Sequence, residues 1–209
     1  MNQHTRIGLQ NLAPGFADPQ LDAQRVFRQL LQAMARPGQM APLDRLPEAP
    51  LPLSRAAAAL ALTLFDLDTP IWLSPDLRAA AGDYLAFHTG APLTADLGAA
   101  SFVLVADGKA LPDLDQVALG DPQYPERAAT VIIQVERVRI APPDKVGYRL
   151  RGPGILGHVD LRVEGLADGF WTALRANQKR FPLGFDAVLV AGDSVLGLPR
   201  TVLVEALEG

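Results

Sequence analysis

Residues 175–202 read RANQKRFPLGFDAVLVAGDSVLGLPRTV. A helix-like run carrying Arg175, Lys179 and Arg180 meets Phe181-Pro182-Leu183-Gly184, and an apolar run follows. Proline and glycine stop a helix and redirect the chain, so this junction predicts punctuation between a helix and a strand. FDAVLVAG and SVLGLP have the length and composition of strands, and Gly192-Asp193 between them predicts a hairpin turn. Upstream, Asp168 predicts the cap of a helix running through Arg180. Trp171, Leu174 and Gln178 fall on one side of that helix, and cations gather in its last turn, where they suit the helix dipole. Downstream, RTVLVEAL predicts a closing strand.

The same alternation extends toward the N-terminus. Asp18 followed by Pro19 predicts a helix start, with Val26, Phe27, Leu30, Leu31 and Met34 on one face and Arg36-Pro37-Gly38 as its end. Ser54 predicts the cap of a second helix, RAAAALALTLF, apolar nearly all round and therefore deeply buried. Thr69–Leu73 reads as a short strand, residues 76–88 as a helix stopped at Gly90, and Ala100–Ala106 as a buried strand. ATVIIQVERVRI, dominated by β-branched residues, gives the strongest strand signal, and residues 147–151 and 159–163 read as shorter strands. Helices interleave with strands and some strand pairs are hairpins, which predicts an α/β fold built on a mixed sheet with helices on both faces.

At 209 residues the chain fits one domain. The proline-rich stretch 37–53 lies between helix signals and reads as an ordered loop, so the expected organisation is an N-terminal tail, 1–14, and a single domain, 15–209. Net charge is −4 without a basic block, which argues against nucleic acid as a partner. There is no cysteine, which excludes disulfides, thiol nucleophiles and thiolate-ligated metal within the chain. No apolar run is long enough to span a bilayer, and MNQHTRIGLQNLAPGF has no apolar core of a signal peptide; a cytoplasmic location is expected.

No catalytic set assembles from spacing. His4, His88 and His158 stand far apart without a second ligand at metal spacing, and His88 suits a helix end where an imidazole meets free carbonyls. Asp66 and Asp68 would share a face of a strand and hold a cation, but Asp-Leu-Asp-Thr-Pro is also ordinary turn chemistry. Arg151 to His158, RGPGILGH, lacks the Lys-Ser/Thr of a phosphate loop and reads as a tight turn. Of the three lysines, Lys109, Lys145 and Lys179, none occupies a plausible Schiff-base position, and no cofactor or metal is expected. Arg36, Arg151, Arg180 and Arg200 all sit beside Pro/Gly turns, where guanidinium groups could converge on an anionic ligand. For Arg200 the competing reading is a structural pair with Asp186 across the hairpin.

Five segments in order, GFADPQLDAQRVFRQLLQAMARPG, LALTLFDLDTPIWL, YPERAATVIIQV, LRGPGI and RFPLGFDAVLV with the later LPRTV, resemble the PhnH family of the phosphonate carbon–phosphorus lyase system, from about Gly15 to Val202. The resemblance implies an α/β/α sandwich like the large domain of pyridoxal-phosphate-dependent transferases, without the cofactor lysine. It implies a homodimer when isolated and membership of a larger complex that joins a phosphonate to the ribose C1 of ATP and releases adenine. Catalysis there is placed on partner subunits, so an accessory role is expected of this chain. The alternative is a nucleotide or phosphonate site of its own at the four arginines.

Overall fold

The computed structural model describes residues 12–141 and 146–207; His4 and Lys145 lie outside them. A six-stranded mixed sheet organises the fold. β2 (Ile71–Leu73), β3 (Phe102–Val105), β4 (Thr130–Gln134) and β8 (Asp186–Ala191) run parallel, and β9 (Ser194–Leu198) and β1 (Ala41–Pro42) extend the β8 edge through antiparallel pairings. Side chains alternate across the sheet because the strand period is two. Leu104, Ile132, Val188 and Val190 belong to one apolar cluster, and Val103, Val105, Val131, Ile133, Ala187 and Leu189 to another. With both faces buried, these strands must be apolar throughout.

The first face is covered by α1 (Pro19–Ala35), α2 (Arg55–Leu64) and α3 (Pro75–Thr89). Local chemistry sets their ends. Asp18 accepts from Leu21 N at 3.1 Å, Ser54 Oγ accepts from Ala57 N at 3.2 Å, and Gly90 ends α3 in the left-handed region. Ala56 to Ala61 are fully buried, and the short side chains of the five alanines among them let α2 sit close to its neighbours. The buried face of α1 is Val26, Leu30 and Ala33 with Asp22; Phe27 and Leu31, expected on that face, are 43% and 50% exposed. They flank a contact narrower than the apolar stripe.

The second face departs from an all-helical layer. It is covered by α4 (Gly169–Gln178) and by an antiparallel sheet ordered β10-β6-β7-β5, from β10 (Leu203–Leu207), β6 (Gly147–Arg151), β7 (Val159–Glu164) and β5 (Arg137–Ile140). The run read as one strand, ATVIIQVERVRI, is thus two strands in two sheets. The division falls between neighbours: Val135 N–H donates to Val190 O on the first sheet, and Glu136 N–H donates to Glu164 O on the second. The closing strand joins this second sheet by pairing with β6.

The opening stretch now has a physical reading. α4 ends at Gln178, two residues short of the expected Arg180, and Asp168 precedes it without a side-chain cap bond. Fully buried Asn177 explains the turn that follows. Its Oδ1 accepts from Phe185 N and its Nδ2 donates to Phe185 O, both at 2.9 Å, so one amide satisfies both backbone groups ahead of β8. Gly184 packs against that amide at φ 120, where a Cβ would collide with Asn177 Oδ1. Gly192-Asp193 then closes the β8–β9 hairpin with Ala191 opposite Ser194.

Asn177→Leu strands two buried backbone groups and is expected to cost about 3 kcal/mol. That lowers the thermal midpoint by on the order of 10 °C for a chain of this size, read by circular dichroism. Burial pushes the Tyr84 hydroxyl up to about 12, while its O–H donates to Glu48 O at 2.9 Å. The folded state therefore favours neutral tyrosine: that stability is complete below the unfolded value of about 10 and is lost as pH rises toward the folded one. Tyr84→Phe should remove part of the stability loss seen between these pH values in alkaline melts.

Candidate functional site

The four arginine-bearing turns occupy neighbouring segments, but their guanidinium groups have different fates. Arg200 follows Pro199 at the end of β9 and forms a fork on Asp186 at the start of β8: Nη2 to Oδ2 at 2.6 Å and Nε to Oδ1 at 3.2 Å. Its backbone N–H donates to the same carboxylate at 2.8 Å. The remaining nitrogen, Nη1, donates to Pro125 O at 2.9 Å and Pro182 O at 3.4 Å. One side chain therefore ties the 125–127 turn ahead of β4 and the start of β8 to the 181–184 turn. The structural pairing with Asp186 is present, and each guanidinium nitrogen is engaged.

Arg180, just past α4, donates to Asp115 Oδ1 at 3.0 Å on the surface. Arg151 ends β6 with a loose 4.0 Å approach to Glu205. Arg36 caps α1 through its backbone N–H to Gln32 O, and among the described residues its side chain has no ion pair or hydrogen bond. The glycine-rich turn, Gly152 to His158, lies against this end of α1; at Gly154 (φ 81) a Cβ would strike Ala35 O. Ile155 packs against the second core while Leu156 projects fully exposed from the tip.

The other sequence candidates resolve into turns and contacts. Asp66 Oδ1 accepts from Asp68 N at 2.9 Å, which is turn chemistry. His88 Nε2 lies 3.0 Å from Ala13 O, so the carbonyl it meets belongs to the segment before α1 and not to its own helix. Lys109 pairs with Glu136 at the surface and Lys179 is exposed at the end of α4. Among the described residues no group of three or more acidic or histidine side chains is placed to hold a metal ion.

A parallel sheet presents ligands outside the carboxyl ends of its strands. Here that edge carries a clasp which sequence reasoning missed. Gln134 Oε1 accepts from Ser54 N at 2.6 Å, and its Nε2 donates to Pro52 O and Ala106 O, both at 3.0 Å. Ser74 Oγ accepts from Ala106 N at 3.1 Å beside it. A polar residue ending an apolar strand was the available signal. Farther out, a groove of about 520 Å³ between the 109–115 loop and α4 carries Asp113 and Asp115 with Lys109. Two carboxylates, and a lysine already paired with Glu136, are the wrong sign for a triphosphate. On the second sheet Arg149 grips Asp160 through two bonds of 2.7 and 2.8 Å, and this guanidinium holds the Asp160 carboxyl below the usual carboxylate range.

The fold and these sites define a mixed α/β protein whose candidate polar groups mostly act as clasps between loops. Residues 14–205 match the family described as bacterial phosphonate metabolism protein (PhnH). The alpha-D-ribose 1-methylphosphonate 5-triphosphate synthase subunit PhnH of Rhizobium meliloti (strain 1021) is 44% identical over 191 residues, covering 91% of this chain and 94% of that protein. HtxG of Stutzerimonas stutzeri, which carries the name of a C-P lyase subunit protein, is 37% identical over 179 residues, 85% of this chain and 83% of its own. The chain belongs to the PhnH family.

Arg200→Ala removes the fork and leaves Asp186 half-buried with only backbone support. The expected cost is about 2–4 kcal/mol, and Arg200→Lys recovers only part of it because an ammonium cannot bridge both oxygens and two carbonyls. Denaturant titration of both variants reads this directly; a loss near zero for the alanine variant contradicts the structural role.

Proposed function

We propose that this chain is a subunit of the assembly that forms ribose 1-methylphosphonate 5-triphosphate, and that it works through the contacts it makes rather than through bond-making of its own. The observation that carries this reading is the match along 91% of the chain to a protein named as a subunit of that synthase. The engaged state of Arg180 and Arg200 supports it, since groups committed to carboxylates and carbonyls are poorly placed to take part in a reaction. The partners are the other subunits of the C–P lyase system, and the reaction served is transfer of the phosphonate to ribose C1 of ATP with release of adenine.

Surface chemistry suits such a role. Leu156 stands exposed on a turn pinned at Gly154 and anchored by Ile155, so it loses little entropy on association. The half-exposed Phe27 and Leu31 of α1 offer further apolar area, for a second copy of the chain when it is isolated. A kinship with the large domain of pyridoxal-phosphate-dependent transferases is compatible with the layered sheet, and the surface positions of Lys109 and Lys179 fit a version without the cofactor.

Co-expression with the other synthase subunits tests the reading. The chain should co-purify with them. Leu156→Asp should weaken that association by roughly 10-fold or more while leaving the melting temperature unchanged. If the remaining subunits assemble normally without this chain and yet lose all turnover, it supplies chemistry and the proposal fails.

A further inference from the structure

Among the described residues three of the four turn arginines have carboxylate partners, and one does not. Arg36 lines a pocket of about 190 Å³ at the carboxyl end of α1, together with Gln29, Gln32 and Gln39. Arg25, Gln29, Gln32 and Arg36 recur at spacings of four, three and four, which is one ridge of the helix. The Gln29 Oε1 is shut off from solvent and has no hydrogen-bond partner among the described residues. A buried amide oxygen without a partner lowers stability, and such groups are rare enough to require a reason.

The lack of a lining carboxylate separates this pocket from the three larger grooves. Asp22, Asp44 and Glu48 face Arg45 and Arg55 in the groove near the N-terminus, Asp113 and Asp115 face Lys109 beside α4, and Glu205 faces Arg175 and Lys179 between α4 and β10, so each of these grooves holds carboxylates that compete with an anion for its cations. The Arg36 pocket has a guanidinium, three amides and no carboxylate. The carboxyl end of α1 opposes an anion, and this is partly offset because two carbonyls there are already engaged: Gln32 O accepts from Arg36 N at 3.0 Å, and the C-cap Arg36 O accepts from Gln39 N at 3.2 Å. Among the described residues Arg36 has no ion pair to surrender and Gln29 no hydrogen bond to break. The terminal torsion of glutamine is soft, so the Gln29 amide can turn its NH2 to an acceptor.

We propose that this pocket binds a small tetrahedral oxyanion, a phosphate or phosphonate group, through the Arg36 guanidinium and the amide N–H groups of Gln29 and Gln32. Its volume admits such a group with a few waters and excludes a whole nucleotide. The binding is a property of the isolated chain and stands apart from the subunit role, so either can fail without the other.

Titration of the purified protein in phosphate-free buffer with methylphosphonate, and separately with inorganic phosphate, tests this by calorimetry and by melting temperature. A site with one cation and neutral donors should bind with a Kd of roughly 1 mM. Saturation at about ten times that concentration should raise the melting temperature by about 3 °C. Arg36→Gln should weaken binding at least about 10-fold, as expected for loss of a charged hydrogen bond. Gln29→Leu should abolish the ligand-induced rise while melting at or above the wild-type temperature without ligand, because the orphan amide is gone. Arg78→Gln, remote from the pocket, should behave as wild type. Arg36-dependent binding of either anion supports the site, and the anion that binds identifies the source. Three results overturn it: no response to either anion up to about 50 mM, a response retained in both pocket variants, or an equal rise from sodium chloride at matched ionic strength.

Discussion

The Arg200 guanidinium holds the architecture at the amino end of the parallel strands. Its fork on Asp186, with two further bonds to Pro125 O and Pro182 O, fixes three loops against the ends of β8 and β9. None of these loops has a regular ladder of its own, so their backbone carbonyls need donors from elsewhere. A single planar cation supplies them, and Asn177 does the same one turn away for both backbone groups of Phe185. At the opposite end of the sheet Gln134 closes the edge in the same manner. Polar side chains here chiefly complete backbone hydrogen bonding around a sheet buried on both faces.

That division of labour explains what sequence reveals and what it hides. The caps at Asp18, Ser54 and Gly90 and the hairpin at Gly192-Asp193 are local, and local chemistry settles them. The separation of β4 from β5 is not local. β-branched residues stand on both sides of it, and the choice of partner, Val190 for Val135 and Glu164 for Glu136, divides the run between two sheets. The second sheet is hidden for the same reason, since a propensity scale cannot say which sheet a strand joins. Phe27 and Leu31 mislead in a related way: helical periodicity finds the apolar stripe, but the width of the contact is set by what packs against it.

The candidate site was half legible. Arginines beside Pro/Gly turns are visible in the sequence, as is the closeness of Arg200 to Asp186, and the fork bears out that pairing. Which arginine lacks a partner depends on residues far away in the chain: Asp115 reaches Arg180 across 65 positions. Gln134 and Gln29 carry no motif. One is fully bonded and the other is not, and only the fold distinguishes a clasp from an uncommitted donor.

These features fit the proposal that the protein works through what it holds and what it touches. The most direct measurement is phosphorus NMR of the purified chain, alone, incubated for hours with ATP and methylphosphonate. The expected result is that the resonances of both compounds persist unchanged, with no new phosphonate ester signal. Steady conversion by the lone protein, at a rate that follows its concentration, would contradict it.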